Sequence, residues 1–170
     1  MIGNDVIDIL QSRHESNWRR KGYIEKLFTP SEQLLISQTS DPETMLWLLW
    51  SMKEAAYKIY NRQTKIRAYI PQKLECAIIS KNNHYATGQV ICLENVYYTK
   101  TIFSKDSLHT IAVTSKDHFN NVIEIEKKDI IKDQNGIPFL SQPPLHILKD
   151  VSISHHGRFE KVVTICYDPH

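Results

Sequence analysis

Residues 45–60, MLWLLWSMKEAAYKIY, constrain this chain more than any other stretch. Twelve of these sixteen residues are hydrophobic, and at about 100° per residue they fall on every side of a helix. A helix that is apolar all round is a buried helix, so the rest of the fold has to wrap it. Ser40-Asp41-Pro42-Glu43 supplies a helix start, and the helix is expected to run to about Tyr60. Lys53, Glu54 and Lys58 carry its only charges. Glu54 and Lys58, four residues apart, share a face, whereas Lys53 points about 140° away from Lys58. On an exposed helix Glu54 and Lys58 would form an ordinary ion pair worth about 0.3–0.5 kcal/mol. Unpaired charge in apolar surroundings is costly, so these three groups are expected to serve a ligand, an ion or one another.

Composition narrows the class. The chain has 170 residues, which suits one domain. With 21 Lys+Arg against 19 Asp+Glu, the net charge is +2, too small for the basic field that non-specific nucleic-acid binding needs. Hydrophobic residues make up 41% and charged residues 24%, close to globular averages, which excludes a wholly disordered chain. The longest fully apolar stretch, residues 45–50, is too short to cross a bilayer. The opening MIGNDVIDIL carries Asp5 and Asp8 and no basic segment, so no secretory signal is expected. Cys76, Cys92 and Cys166 are widely spaced and form no CxxC pair. They read as buried free thiols of a reducing cytoplasm.

Along the chain, residues 2–10 read as a strand and 14–28 as a charged helix with scattered aromatics. Thr29-Pro30-Ser31-Glu32 is a capping-box start for a helix to about Ser37. After Arg67 the periodicity changes: 74–79, 88–93, 96–103 and 108–115 read as strands, with turns at 81–84 and 104–107. Residues 124–132 are charged and ambiguous, Asn135-Gly136 is a turn, and Pro143-Pro144 interrupts. A closing hairpin is expected over 151–155 and 160–167, turning at His156-Gly157-Arg158. With no repeat and no linker, the chain reads as a single α+β domain over 1–170.

Two further places put charge into apolar patterns. In a strand Gly3, Asp5, Ile7 and Ile9 share one face, which sets a carboxylate beside two isoleucines. Asp5 is either a strand-end aspartate in solvent or a metal ligand, with Gly3 allowing a close approach to the backbone. In Val151-Ser152-Ile153-Ser154-His155-His156-Gly157-Arg158, Ser152, Ser154 and His156 share one strand face and Val151, Ile153 and His155 the other. The two histidines point apart, which argues against a metal pair and leaves hairpin chemistry or an anionic, oxygen-rich ligand. No G-x-S-x-G elbow, P-loop or G-x-G-x-x-G is present.

Together these segments resemble the 4′-phosphopantetheinyl transferases. Ile2-Gly3-Asn4-Asp5 resembles the family's G-x-D opening strand. Trp50-Ser51-Met52-Lys53-Glu54-Ala55-Ala56-Tyr57-Lys58 matches its W-x-x-K-E-A-x-x-K helix at every fixed position. Leu27-Phe28-Thr29-Pro30-Ser31-Glu32 resembles the stretch between them, Gly136-Ile137-Pro138 an upstream G-x-P, and Ser152-Ile153-Ser154-His155 the S-x-S-H segment. The motifs that carry the resemblance lie within residues 1–60 and 135–167. It implies a mostly antiparallel sheet packed on the long buried helix. It also implies a reaction in which phosphopantetheine passes from coenzyme A to a serine of an apo acyl or peptidyl carrier protein, releasing 3′,5′-ADP.

The resemblance further implies Mg²⁺, with Mn²⁺ as a possible substitute, held by Asp5 and Glu54, since hard cations take carboxylates plus phosphate and water. Asp5, Glu54 and Lys58 would be catalytic. Lys53, Lys58, Ser154 and His155 would bind the coenzyme, the last two at its 3′-phosphate. Glu54 or a metal-bound water would take the serine proton. Some relatives carry a third acid two residues after the first Asp; here Ile7 stands there. Asp8 is a weak metal candidate. Arg13, with Arg19, Arg20 and Lys21, would meet the acidic carrier protein. The motif order is that of the short holo-acyl-carrier-protein synthase type, which implies a homo-oligomer, a trimer favoured, with interfacial sites. The alternative reading is a catalytically inactive coenzyme A-binding or structural interaction module.

Overall fold

A computed structural model describes residues 1–142 and 147–166. The expected elements at Pro143-Pro144 and at Tyr167 lie outside the described residues. The chain opens with β1 (Ile2–Asp8). The strand stops two residues short of the expected end because Asp8 caps the next helix, its side chain accepting from the Leu10 and Gln11 amides. That helix, α1 (Ile9–Glu15), is followed by a turn and by α2 (Tyr23–Leu27). The single helix expected over 14–28 is therefore two short ones, interrupted ahead of Gly22, whose φ of 82° no helix accommodates.

α3 (Pro30–Gln38) begins with the capping box foreseen in the sequence: the Thr29 side chain accepts from the Glu32 amide, and Glu32 reaches back to the Thr29 amide. α4 (Pro42–Thr64) starts on Asp41 and runs one turn beyond Tyr60, to a left-handed Lys65. Met45 through Leu49, Met52, Ala55, Ala56 and Ile59 are buried along it, whereas Trp50, Glu54, Tyr57, Lys58 and Asn61 form one partly exposed face, so the helix is not buried all round, contrary to the expectation from its apolar pattern.

Four strands follow: β2 (Glu75–Lys81), β3 (Tyr85–Cys92), β4 (Asn95–Phe103) and β5 (Ser107–Val113). With β1 they form an antiparallel sheet in the order β1-β5-β4-β3-β2. Val90, Tyr97, Leu108 and Ala112 alternate onto the face that packs with α4 in one core cluster. The ambiguous charged stretch supplies ends of two short strands, β6 (Val122–Glu124) and β7 (Ile130–Lys132). They flank β8 (Pro138–Gln142), β9 (Ile147–His156) and β10 (Phe159–Ile165) in a second antiparallel sheet, ordered β6-β10-β9-β8-β7. Ile2, Val113, Val163 and Ile165 form a small apolar cluster that joins the two sheets. Among the described residues no helix is long and apolar enough to cross a membrane.

Candidate active site

The site starts at a residue with no side chain. A β-carbon at Gly3 would lie 2.0 Å from the Ala55 carbonyl oxygen, so only glycine lets β1 lie this close to α4. Asp5 is two residues along the strand from that contact, and Glu54 is next to Ala55 on the helix. Both line one cleft of about 210 Å³, together with Trp47, Trp50, His155 and His156. The close approach in the sequence reading was thus made by the helix itself.

Asp5 is 9% exposed. Its Oδ1 accepts from Ser154 Oγ at 2.9 Å and lies 3.9 Å from Lys58 Nζ. Its Oδ2 is buried with no hydrogen-bond partner. Burial pushes the Asp5 pKa up, and Lys58 and the Ser154 hydrogen bond oppose that shift. Burial also raises Glu54, and the negative charge of Asp5 adds to it, pushing Glu54 up to about 7. An aromatic wall accounts for much of this dryness: Trp50 and Tyr57 both meet Tyr69 edge to face, with ring centres 5.8 and 4.8 Å apart. The Tyr69 hydroxyl lies beside the Glu54 carboxyl, close enough to act on its charge but outside hydrogen-bond geometry.

Lys58 stands on the same helical face as Glu54. Its ammonium donates to the Asn4 carbonyl at 2.6 Å and the Ile153 carbonyl at 3.1 Å, which holds it within ion-pair distance of Asp5. Burial lowers its pKa, and the two carboxylates act in the opposite direction. The side chain is 31% exposed and lines a neighbouring pocket with Ile2, Tyr57 and Arg62, so it stands between that pocket and the Asp5 carboxylate. Three carboxylates, Asp5, Glu15 and Glu54, line the cleft and no Lys or Arg side chain does, which leaves it short of positive charge.

A divalent cation fits that shortage. Among the described residues no three His, Cys, Asp or Glu side chains gather into a metal-binding group. Of the three carboxylates in the cleft, Glu15 is engaged by Gln11 and His156, which leaves Asp5 and Glu54 as a donor set of the kind Mg²⁺ takes where phosphate and water complete its shell. Asp5 Oδ2, buried without a hydrogen-bond partner, is the oxygen left for it, although the Ser51 hydroxyl stands close enough to act on the carboxylate as well.

β9 reaches this site through hydrogen bonds to the outer edge of β1. Ser152 Oγ accepts from the Asn4 amide at 2.9 Å, Ser154 Oγ from the Val6 amide at 3.0 Å, and His156 Nδ1 from the Asp8 amide at 2.9 Å. Three alternate side chains thus meet three alternate amides, as the period of a strand requires. This uses the Ser154 hydroxyl as both acceptor and donor within the protein, which removes it from the expected role at the 3′-phosphate. His155 points the other way, is exposed, and lines the cleft mouth.

Lys53 is not part of the cleft. Its side chain is 0% exposed, pairs with Glu32 at 2.7 Å and donates to the carbonyls of Pro71 and Leu74 at 2.7 and 2.6 Å. The expected phosphate contact is replaced by a buried clamp that ties α3 and the segment before β2 to α4. Asp8 likewise has no oxygen to spare for a metal. It caps α1 and takes two side-chain bonds and one backbone bond from Arg158, which hold its pKa well below the usual carboxylate range. Arg13 is engaged by Glu43, while Arg19 lies over Trp18 and Arg20 over Tyr23. Sequence reasoning missed Tyr69, which sits in a segment with no periodic pattern. It also missed the bridging role of His156, for which the 152-154-156 spacing was the available signal.

Residues 1–114 match the family model of the 4′-phosphopantetheinyl transferase superfamily. The fold is similar to the crystal structure of holo-[acyl-carrier-protein] synthase from Neisseria meningitidis, with a TM-score of 0.50 and 13% sequence identity. That likeness covers 68% of this chain and 97% of the other. No curated protein matches the chain.

Proposed function

Because this chain belongs to the 4′-phosphopantetheinyl transferase superfamily, we propose that it transfers the 4′-phosphopantetheine group of coenzyme A to a serine of an apo acyl or peptidyl carrier protein, with Mg²⁺, releasing 3′,5′-ADP. One observation carries this reading: Asp5 and Glu54, far apart in sequence, line a single cleft, and Asp5, paired with Lys58, keeps one buried oxygen without a hydrogen-bond partner.

Asp5 and Glu54 would hold the cation, which when bound supplies neutralisation of charge on the pyrophosphate. Lys58, fixed by two backbone carbonyls, meets the phosphates as a point cation with little reorganisation. His155, exposed at the cleft mouth, is a further contact for an anionic part of the coenzyme. Glu54 is also the side chain that would take the proton of the carrier serine. As that proton leaves, the serine oxygen bonds to the phosphorus bearing pantetheine, and the bond to the bridging oxygen of the pyrophosphate breaks. The aromatic wall of Trp50, Tyr57 and Tyr69 excludes water that would compete with the serine.

We extend the proposal to a homo-oligomer, a trimer favoured, which light scattering tests directly. The activity is tested by incubating the chain with coenzyme A, Mg²⁺ and a panel of apo carrier proteins and reading intact masses. A gain of one phosphopantetheine on a carrier is the expected result. Coenzyme binding with no mass gain on any carrier would favour the inactive module instead.

A further inference from the structure

We infer that Ser154 is a positioning residue, which orients the Asp5 carboxylate so that Oδ2 faces the cation. The inference rests on the proposed metal role of Asp5. Its basis is the sharing of one hydroxyl between two partners. Ser154 Oγ accepts from the Val6 amide at 3.0 Å and donates to Asp5 Oδ1 at 2.9 Å. The first bond fixes the hydroxyl against the backbone of β1, and the second fixes the carboxylate against the hydroxyl. Asp5 Oδ1 is then occupied, and Oδ2 is left buried without a partner. A carboxylate free to rotate about its last bond would present either oxygen; this one presents a single oxygen. Lys58 cannot do the same, since its ammonium stands 3.9 Å from Oδ1.

Ser152 provides an internal control. It makes the equivalent bond to the Asn4 amide at 2.9 Å, is buried like Ser154, and bonds to no carboxylate among the described residues. A purely structural role predicts that the two serines behave alike. A positioning role predicts that only Ser154 affects the cation.

The test is Mn²⁺ titration of the folded chain with coenzyme A present and no carrier protein, followed by electron paramagnetic resonance, with thermal melts alongside. Ser154→Ala is expected to weaken Mn²⁺ about tenfold to a hundredfold, the range seen when a group supporting a metal ligand is removed. Ser154→Thr, which keeps the hydroxyl, and Ser152→Ala are expected to keep wild-type affinity. If Ser154→Ala does not fold, Ser154→Cys keeps the volume with a much weaker donor and is read in its place. Equal Mn²⁺ affinity in Ser154→Ala, or Cys, and wild type overturns the inference, as does an equal loss in Ser152→Ala. Asp5→Asn separates the two levels. If it leaves Mn²⁺ affinity unchanged, or if wild type binds no Mn²⁺, the metal reading itself fails and this inference with it.

Discussion

Gly3 and Ala55 meet backbone to backbone, with room for nothing larger than hydrogen between the glycine α-carbon and the alanine carbonyl. This contact sets how closely β1 lies on α4, and so how far Asp5 stands from Glu54. The glycine of G-x-D and the first alanine of K-E-A thus form one structural feature, although fifty residues of chain separate their motifs. Neither residue has a reactive side chain; together they place the two carboxylates proposed to act.

Gly3→Ala is therefore expected to push the strand off the helix. Overpacking of this kind costs typically about 1–3 kcal/mol. Urea unfolding should show that loss, and transfer by the remaining folded protein should fall as well, because the carboxylates separate. Unchanged stability would mean that the strand moves freely on the helix.

Lys53→Met removes one partner of a fully buried ion pair and leaves Glu32 charged with no cation. Breaking such a pair costs about 3–5 kcal/mol. Urea unfolding of Lys53→Met, Glu32→Gln and the double variant should give a strong coupling between the two sites. Coenzyme A affinity of the folded Lys53→Met protein should equal that of wild type, since the ammonium never faces the cleft. A weakened affinity with the fold intact would return Lys53 to the phosphate.

Acid should destabilise the fold through His109. Asn4 Nδ2 donates to the Lys161 carbonyl at 3.1 Å and faces His109 Nε2 at 3.2 Å, so that ring nitrogen accepts and the imidazole is neutral. Burial first, and Lys161 next, lower its pKa to about 4. An unfolded histidine titrates near about 6.5 and so binds more protons than the folded one between those values. The stabilisation is complete above about pH 6.5 and is lost as pH falls toward about 4. At pH 5 the loss is about 2 kcal/mol. Glu54, pushed up to about 7, takes up a proton on folding over the same range and acts in the opposite direction, so the His109 contribution is read by comparing urea midpoints at pH 7.5 and 5 for wild type and His109→Gln: acid should cost wild type about 2 kcal/mol more than the variant.

What was legible in the sequence was local. The capping box at Thr29 and Glu32 and the start of α4 at Asp41 are signals carried within four residues, and both formed as read. The apolar pattern announced the burial of α4 on all but one face. Ile9 and Leu10 misled, because apolar residues after a strand look like more strand, whereas Asp8 had already capped a helix there. Helical angle alone turned Lys53 away from Lys58, but its partner Glu32 belongs to another helix and no local rule names it. Ser154 belonged to a readable motif, yet its bond to Asp5 spans 149 residues and depends on how β9 meets β1. Tyr69 acts on Glu54 from a segment whose path is set by tertiary packing rather than by any periodic signal.

The central claim is that Asp5 and Glu54 serve one cation in one transfer reaction. It is tested most directly by the rate of phosphopantetheine transfer to a responsive carrier, measured against Mg²⁺ concentration for wild type, Asp5→Asn and Glu54→Gln, with thermal melts of all three. The account predicts Mg²⁺-dependent transfer by wild type, a loss of about 10²-fold or more in each variant, and melting temperatures no lower than wild type, since each change removes a charge that burial opposes. Transfer at the wild-type rate by either variant would contradict it.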